Sequence, residues 1–283
     1  MADPLVLQFG EVSVEIEGRD PVILSRLGRH FRHCLPAQAV SPEVIFHINR
    51  EIDDTFELWK GEALVDHNLS SDQLFWRLMQ EAVSSLIARS CNQAVFHAGG
   101  VARDNQGVIL CGDSGSGKST LTAQLVSSGF DYLTDEISAL RLKDEALSGL
   151  PRPVILKGGS GLSWKEKVAS EGREAPETFL SGETWIDPEL FRGGGICRSA
   201  RPRILIFPRY QTDQPFQVQP LSQAQAAFML LQRLVNARNL PGHGFPFVTS
   251  LSKKIRAYQV VYNEISQEMV DWVNEILASA SGS

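Results

Sequence analysis

The spacing of hydrophobic and polar positions along this chain changes several times, and each change predicts an element. Val12, Val14 and Ile16 alternate with Ser13, Glu15 and Glu17, the period-two pattern of a half-buried strand. Residues 44–48 and 55–59 predict two further strands. From Ser70 the period lengthens. Ser70 and Gln73 form a capping box, and Leu74, Phe75, Leu78, Met79, Ala82, Val83, Leu86 and Ile87 share one face of a helix running to about Ser90. That face reads as core packing. Residues 1–92 are therefore expected to form an α+β module of strands followed by a helix.

A different pattern starts near Ala94. Residues 94–102 predict a strand, Asp104-Asn105-Gln106-Gly107 a turn, and Val108-Ile109-Leu110-Cys111 a short apolar run suited to a buried parallel strand. Leu121, Ala123, Leu125 and Val126 then continue as a helix stopped by Gly129. Residues 130–134 and 137–142 predict strands on either side of the acidic pair Asp135-Glu136. Later strands are expected at 203–208 and 257–262, and amphipathic helices at 222–237 and 266–277. Glycine-rich stretches at 158–161, 193–195 and 240–244 read as plain connections or as loops that close over a substrate. The expected class is α/β, with residues 93–283 as a nucleotide-binding domain ending in helices. No internal repeat is visible.

The chemistry concentrates between the apolar run and the helix. Gly112-Asp113-Ser114-Gly115-Ser116-Gly117-Lys118-Ser119-Thr120 is a full P-loop in a strand–turn–helix context. Its glycines let successive backbone N–H groups turn towards phosphate oxygens, and the following helix adds its positive N-terminal dipole. In this motif Lys118 reaches the β- and γ-phosphates and the Ser119 hydroxyl ligates Mg²⁺, so the expected ligands are ATP or GTP with Mg²⁺. Asp135 follows Ser119 by only sixteen positions. That proximity predicts a strand beside the P-loop strand, with both carboxylates at the phosphate end. One acid can hold the metal while the other takes a proton from a hydroxyl. A solvated strand end is the plainer alternative.

Bulk properties narrow the class without naming an activity. The chain has 283 residues, 43% hydrophobic and 21% charged, with a formal net charge of −6. The acidic balance excludes the basic face of a nucleic-acid binder. No stretch approaches the ~20 apolar residues of a membrane span. The first ten residues lack a basic flank and an apolar signal core. The four cysteines, Cys34, Cys91, Cys111 and Cys197, form no close pair, which argues against zinc and against a disulfide framework. A reducing cytoplasm is the expected compartment.

Phe96-His97-Ala98-Gly99-Gly100-Val101, the P-loop and Leu133-Thr134-Asp135-Glu136 together resemble the catalytic domain of HPr kinase/phosphorylase. More closely they resemble the HPr-kinase-related proteins of peptide-modifying and other bacterial gene clusters. Pro151-Arg152-Pro153-Val154-Ile155-Leu156-Lys157 is similar to an Arg-Pro…Leu-Lys segment of those relatives, and the likeness spans about 96–157. It implies a P-loop kinase acting on a serine of a peptide or protein, and by analogy a homo-oligomeric ring. Within it, Asp135 matches the catalytic acid/base, Glu136 a second acid near the metal, and His97 a histidine close to the catalytic acid. Glu136 stands where the family has Asp, and residues 170–200 lack the family's glycine-rich signature. Arg152 and Lys157 are candidates to meet the γ-phosphate, with Arg201 and Arg203 as less specific ones; ordinary surface charge is the alternative. His30, His33, His47, His67 and His243 have no supporting pattern. A small-metabolite kinase and a non-catalytic nucleotide-binding regulator stay open as other readings.

Overall fold

Alternation at residues 12–16 does what it predicts: Val12, Val14 and Ile16 are all fully buried, in a strand whose other side is mostly polar. In the computed structural model, which describes residues 3–51, 53–173, 175–179, 181–192 and 195–280, the chain divides into two units, Met1–Asn92 and Gln93–Ser283. The first unit contains β1 (Leu5–Phe9), β2 (Val12–Gly18), α1 (Pro21–His30), β3 (Val44–Arg50), β4 (Phe56–Lys60), β5 (Ala63–Leu69) and α2 (Ser71–Arg89). Its strands lie in the order β1-β2-β3-β4-β5, with β2 and β3 parallel and the other neighbours antiparallel. A parallel pair needs a crossover, and α1 supplies it, capped by the Asp20 carboxylate on the Val22 and Ile23 amides. The capping box of Ser70 and Gln73 opens α2, whose apolar stripe packs across β1, β2, β4 and β5.

The second unit begins with a long hairpin. β6 (Gln93–Arg103) and β7 (Gln106–Cys111) are joined by Asp104 and Asn105, both at positive φ, the conformation a two-residue turn of matching twist requires. Then come α3 (Lys118–Ser127), β8 (Asp131–Thr134), β9 (Ile137–Arg141), β10 (Leu147–Gly149), β11 (Val154–Lys157), α4 (Gly158–Ser170), β12 (Glu177–Thr178), β13 (Glu183–Ile186) and α5 (Glu189–Arg192). The chain ends with β14 (Arg201–Tyr210), β15 (Gln217–Pro220), α6 (Gln223–Leu231), α7 (Phe245–Leu251), β16 (Arg256–Tyr262) and α8 (Gln267–Ala280). Among the described residues, the main sheet has eight strands in the order β10-β9-β6-β7-β14-β16-β15, with β8 also on β6. β7 is buried on both faces: Val108 and Leu110 join a core with α3 and α8, while Ile109 and Cys111 join a core with α6 and α7. It runs parallel to β14 and antiparallel to β6. The architecture is mixed α/β, with helices on both faces of the sheet.

Three expectations need correction. The strand leading to Asp135 does not lie beside β7. It pairs with β6, which stands between them, and β8 and β9 are successive pieces along that same edge of β6, interrupted at Asp135-Glu136. The backbones are close here: a Cβ on Gly99 of β6 would lie 2.9 Å from Thr122 Oγ1 and 3.3 Å from the Asp135 carbonyl oxygen. The helix expected at 222–237 stops at Leu231. Beyond it the chain turns to pair with the start of β6: Val235 N–H donates to the Val95 carbonyl (2.8 Å) and His97 N–H to the Arg233 carbonyl (2.8 Å). Asn236 locks the joint, accepting from Val95 N–H at Oδ1 and donating from Nδ2 to the Gln93 carbonyl, both at 2.9 Å. The stretch 158–161 opens the thirteen-residue helix α4 instead of forming a connection. Gly193 and Gly194 lie outside the described residues.

Candidate active site

The loop from Gly112 to Gly117 connects a doubly buried strand to α3, and its local chemistry leaves polar groups free. Gly117 is the N-cap of α3 at φ +90°, and no side chain caps the helix. A Cβ there would collide with the Tyr262 hydroxyl. Glycine is thus required, and the first-turn N–H groups of α3 face outward without intrahelical partners. Ser116 Oγ is buried with no hydrogen-bond partner among the described residues. Lys118, only 7% exposed, donates from Nζ to the carbonyls of Gly112 (2.8 Å) and Asp113 (3.4 Å). Burial lowers its pKa from the ordinary lysine value. Orphaned amides and a lysine resting on carbonyls are what a phosphate chain would satisfy together.

Facing this loop is a cavity of about 720 Å³, the size of a small-molecule site. Asp113, Ser114, Gly115, Gly117, Lys118, Ser119 and Thr120 line it, as do His97, Asp135, Glu136 and Lys157. Sequence-predicted residues from four separate stretches therefore meet in one place. Gly112, Ser116 and Arg152 do not line it.

Asp135 sits at the floor, 4% exposed. Its Oδ2 accepts from Ile155 N–H (3.1 Å), its Oδ1 from the Tyr132 hydroxyl (3.4 Å), and the Ser119 hydroxyl also donates to it. Burial, followed by the adjacent Glu136 carboxylate, pushes its pKa up to about 6, against the opposing pull of the Ile155 amide, Arg152 and Ser119. Glu136 is tied to Arg152 in a tight ion pair, and its Oε1 lies 4.0 Å from His97 Nε2. Burial lowers the His97 pKa, with the Lys118 charge as the second cause, so the ring is held towards its neutral form. Arg152, 9% exposed, is the partner of Glu136 and does not open onto the cavity. Lys157 does reach the cavity, where it pairs with Glu183 at 3.3 Å.

Several lining residues escaped the sequence reading. Tyr210 and Tyr262 end β14 and β16 and pack edge to face with ring centroids 6.0 Å apart; Glu264 and Ile265 follow β16. One signal could have found them: ligands in open α/β sheets sit beyond the carboxyl ends of parallel strands, and these two strands run parallel to β7. Another cation, Arg233, pairs with Asp113 at 2.7 Å. No local pattern marks it.

No family profile matches the chain, and no curated protein matches it. Among solved structures it is similar to the HPr(Ser) kinase/phosphatase from Coxiella burnetii, at 12% identity and a TM-score of 0.32, over 65% of this chain and 88% of that one. A superposition that loose says nothing about chemistry, which rests on the site itself. Among the described residues, no helix is long and apolar enough to cross a membrane.

Proposed function

We propose that the second unit binds a nucleoside triphosphate and transfers its γ-phosphoryl group to a hydroxyl, that of a serine in a peptide or protein. One observation carries the reading: an uncapped loop and helix start with a lysine share a cavity with a buried carboxyl whose pKa is about 6. Phosphoryl transfer needs little beyond positioning, charge stabilisation and a proton acceptor. The amides of residues 113–119 and Lys118 hold the phosphates. Asp135 accepts the proton of the attacking hydroxyl as the new oxygen–phosphorus bond forms and the bond from the γ-phosphorus to its bridging oxygen breaks, releasing nucleoside diphosphate. A base with a pKa near 6 is ionised at neutral pH yet still basic enough to take that proton.

Ser119 and Glu136 are the proposed Mg²⁺ ligands, with Arg152 fixing the Glu136 carboxylate; when bound, Mg²⁺ neutralises phosphate charge. The donor set fits: a hydroxyl and carboxylates, all oxygen, on the cavity wall beside the lysine. The choice of a peptide acceptor comes from the resemblance over residues 96–157, whereas the site supports a hydroxyl acceptor.

The test is ATP turnover with Mg²⁺ in the presence of a pool of serine-containing peptides, comparing the native chain with Lys118→Ala and with chelation by EDTA. Phosphate on a peptide with the native chain alone is the expected result. Asp135→Asn should bind nucleotide normally while transfer falls by roughly 10²–10⁴-fold, the usual loss of a general base. Nucleotide binding with no transfer to any peptide would move the reading to a metabolite kinase or a nucleotide-binding regulator.

A further inference from the structure

Arg233 belongs to no motif, yet its side chain ends at the glycine-rich loop. The short stretch after α6 pairs with β6, and the His97 N–H to Arg233 carbonyl bond (2.8 Å) fixes the Arg233 backbone beside a cavity residue. From there its guanidinium reaches Asp113 at 2.7 Å. The arginine side chain is 22% exposed and that of Asp113 80% exposed, so a mostly covered cation is held by a carboxylate on the cavity rim. Arg233 Nε is buried and has no hydrogen-bond partner among the described residues. Arg233 does not itself line the cavity, so its guanidinium meets an anion there by turning from Asp113, which does. The Arg233 charge is also felt at Lys118 and at His97.

Lys118 shows the same arrangement. Its ammonium rests on the carbonyls of Gly112 and Asp113. Two cations from distant parts of the chain therefore share one loop residue, Asp113. Resting contacts of this kind are exchangeable. An incoming phosphate chain offers stronger, multiply charged acceptors than one exposed carboxylate or two carbonyls.

We propose that Arg233 is a further catalytic residue of the phosphoryl transfer read above. Asp113 holds it while the site is empty, and it moves to the terminal phosphate of a bound nucleoside triphosphate, where it stabilises the charge spread over the transferring oxygens. The assignment depends on that nucleotide reading. It implies that Arg233 recognises the third phosphate and not the first two, because its tether lies at the start of the loop, away from the α3 amides that hold the rest of the chain.

The experiment measures dissociation constants of a non-hydrolysable Mg²⁺–ATP analogue and of Mg²⁺–ADP for the native chain, Arg233→Ala, Arg233→Lys and Asp113→Ala, with ATP turnover and thermal unfolding alongside. Arg233→Ala should weaken the triphosphate analogue roughly 10–100-fold and the diphosphate less than about threefold. Its turnover should fall by about 10³-fold or more, and Arg233→Lys should restore part of both losses. Asp113→Ala removes the tether, so it should tighten the triphosphate selectively while Arg233 is present. That variant tests the idea even where Arg233→Ala fails to fold. Equal weakening of both nucleotides, or no effect of either substitution on their ratio, would overturn the assignment alone. Absence of nucleotide binding by the native chain would overturn the nucleotide reading, and this assignment with it.

Discussion

Asp135 meets two opposed demands. Ionised, it can take a proton, but burial penalises that state and lifts its pKa to about 6, well above the ordinary carboxylate value. Below about pH 3 the carboxyl is protonated both folded and unfolded, and it costs folding nothing. As pH rises towards 6 the unfolded chain releases this proton while the folded chain keeps it, so stability falls; above 6 the loss is complete. Asp135→Asn should therefore raise the melting temperature at pH 8, by a stabilisation on the order of 1–3 kcal/mol, and leave it nearly unchanged at about pH 3. Thermal scans at the two pH values measure this directly. The native turnover should rise through about pH 6 as Asp135 ionises. At this scale the sequence was informative where chemistry is local. Lys118, Ser119 and Asp135 lie close together in the chain and stand out by spacing alone. Arg233 and Asp113 are far apart in sequence, and only the folded chain brings their charges together.

Among elements, strong periods predicted well and weak ones failed. The β6–β7 hairpin and α3 stand where turn residues and apolar runs place them, as does α2 with its capping box. α4 was missed because its first turn, Gly158-Gly159-Ser160-Gly161, has among the lowest helix propensities a sequence can offer. Tertiary packing overrides that: Trp164 meets Phe191 edge to face at 4.8 Å, and Lys167 stacks over the same indole. α6 was overextended for the opposite reason. Its apolar period continues through Leu234, but Asn236 captures the start of β6 and ends the helix early. Asn236 is 4% exposed, and truncating it removes two buried hydrogen bonds to the backbone of β6. Asn236→Ala should cost about 2–4 kcal/mol in chemical denaturation. Because the same joint carries the Arg233 backbone, the variant should also bind the triphosphate more weakly.

At the scale of the whole molecule, the described residues that line the cavity all belong to the second unit. A nucleotide bound there stabilises that unit by mass action, by about 2.7 kcal/mol at a hundred times its dissociation constant. Calorimetry with saturating Mg²⁺–nucleotide should show the transition of residues 93–283 rising by roughly 5–10 °C while that of the first unit stays in place. The α/β class was legible in the alternation of strands and helices. The order of strands was not, since hydrophobic patterning reports which face a residue takes and not which strand lies beside it. The eleven-residue β6 intervenes between the loop strand and the acidic pair for that reason.

The placement of β6 has a consequence for how such a protein can change over generations. With one strand between β7 and β8, the backbones of the strands that lead to the loop and to the acids stand two strand spacings apart, about 9.5 Å, and the Ser119 hydroxyl and the Asp135 carboxylate meet across that distance. Backbone hydrogen bonds hold that separation, and no side chain sets it. The spacing of the two strands that carry these groups is thus inherited with the sheet. The loops at the cavity mouth are free to diverge, so a lineage could exchange one acceptor for another without rebuilding the part that does the work.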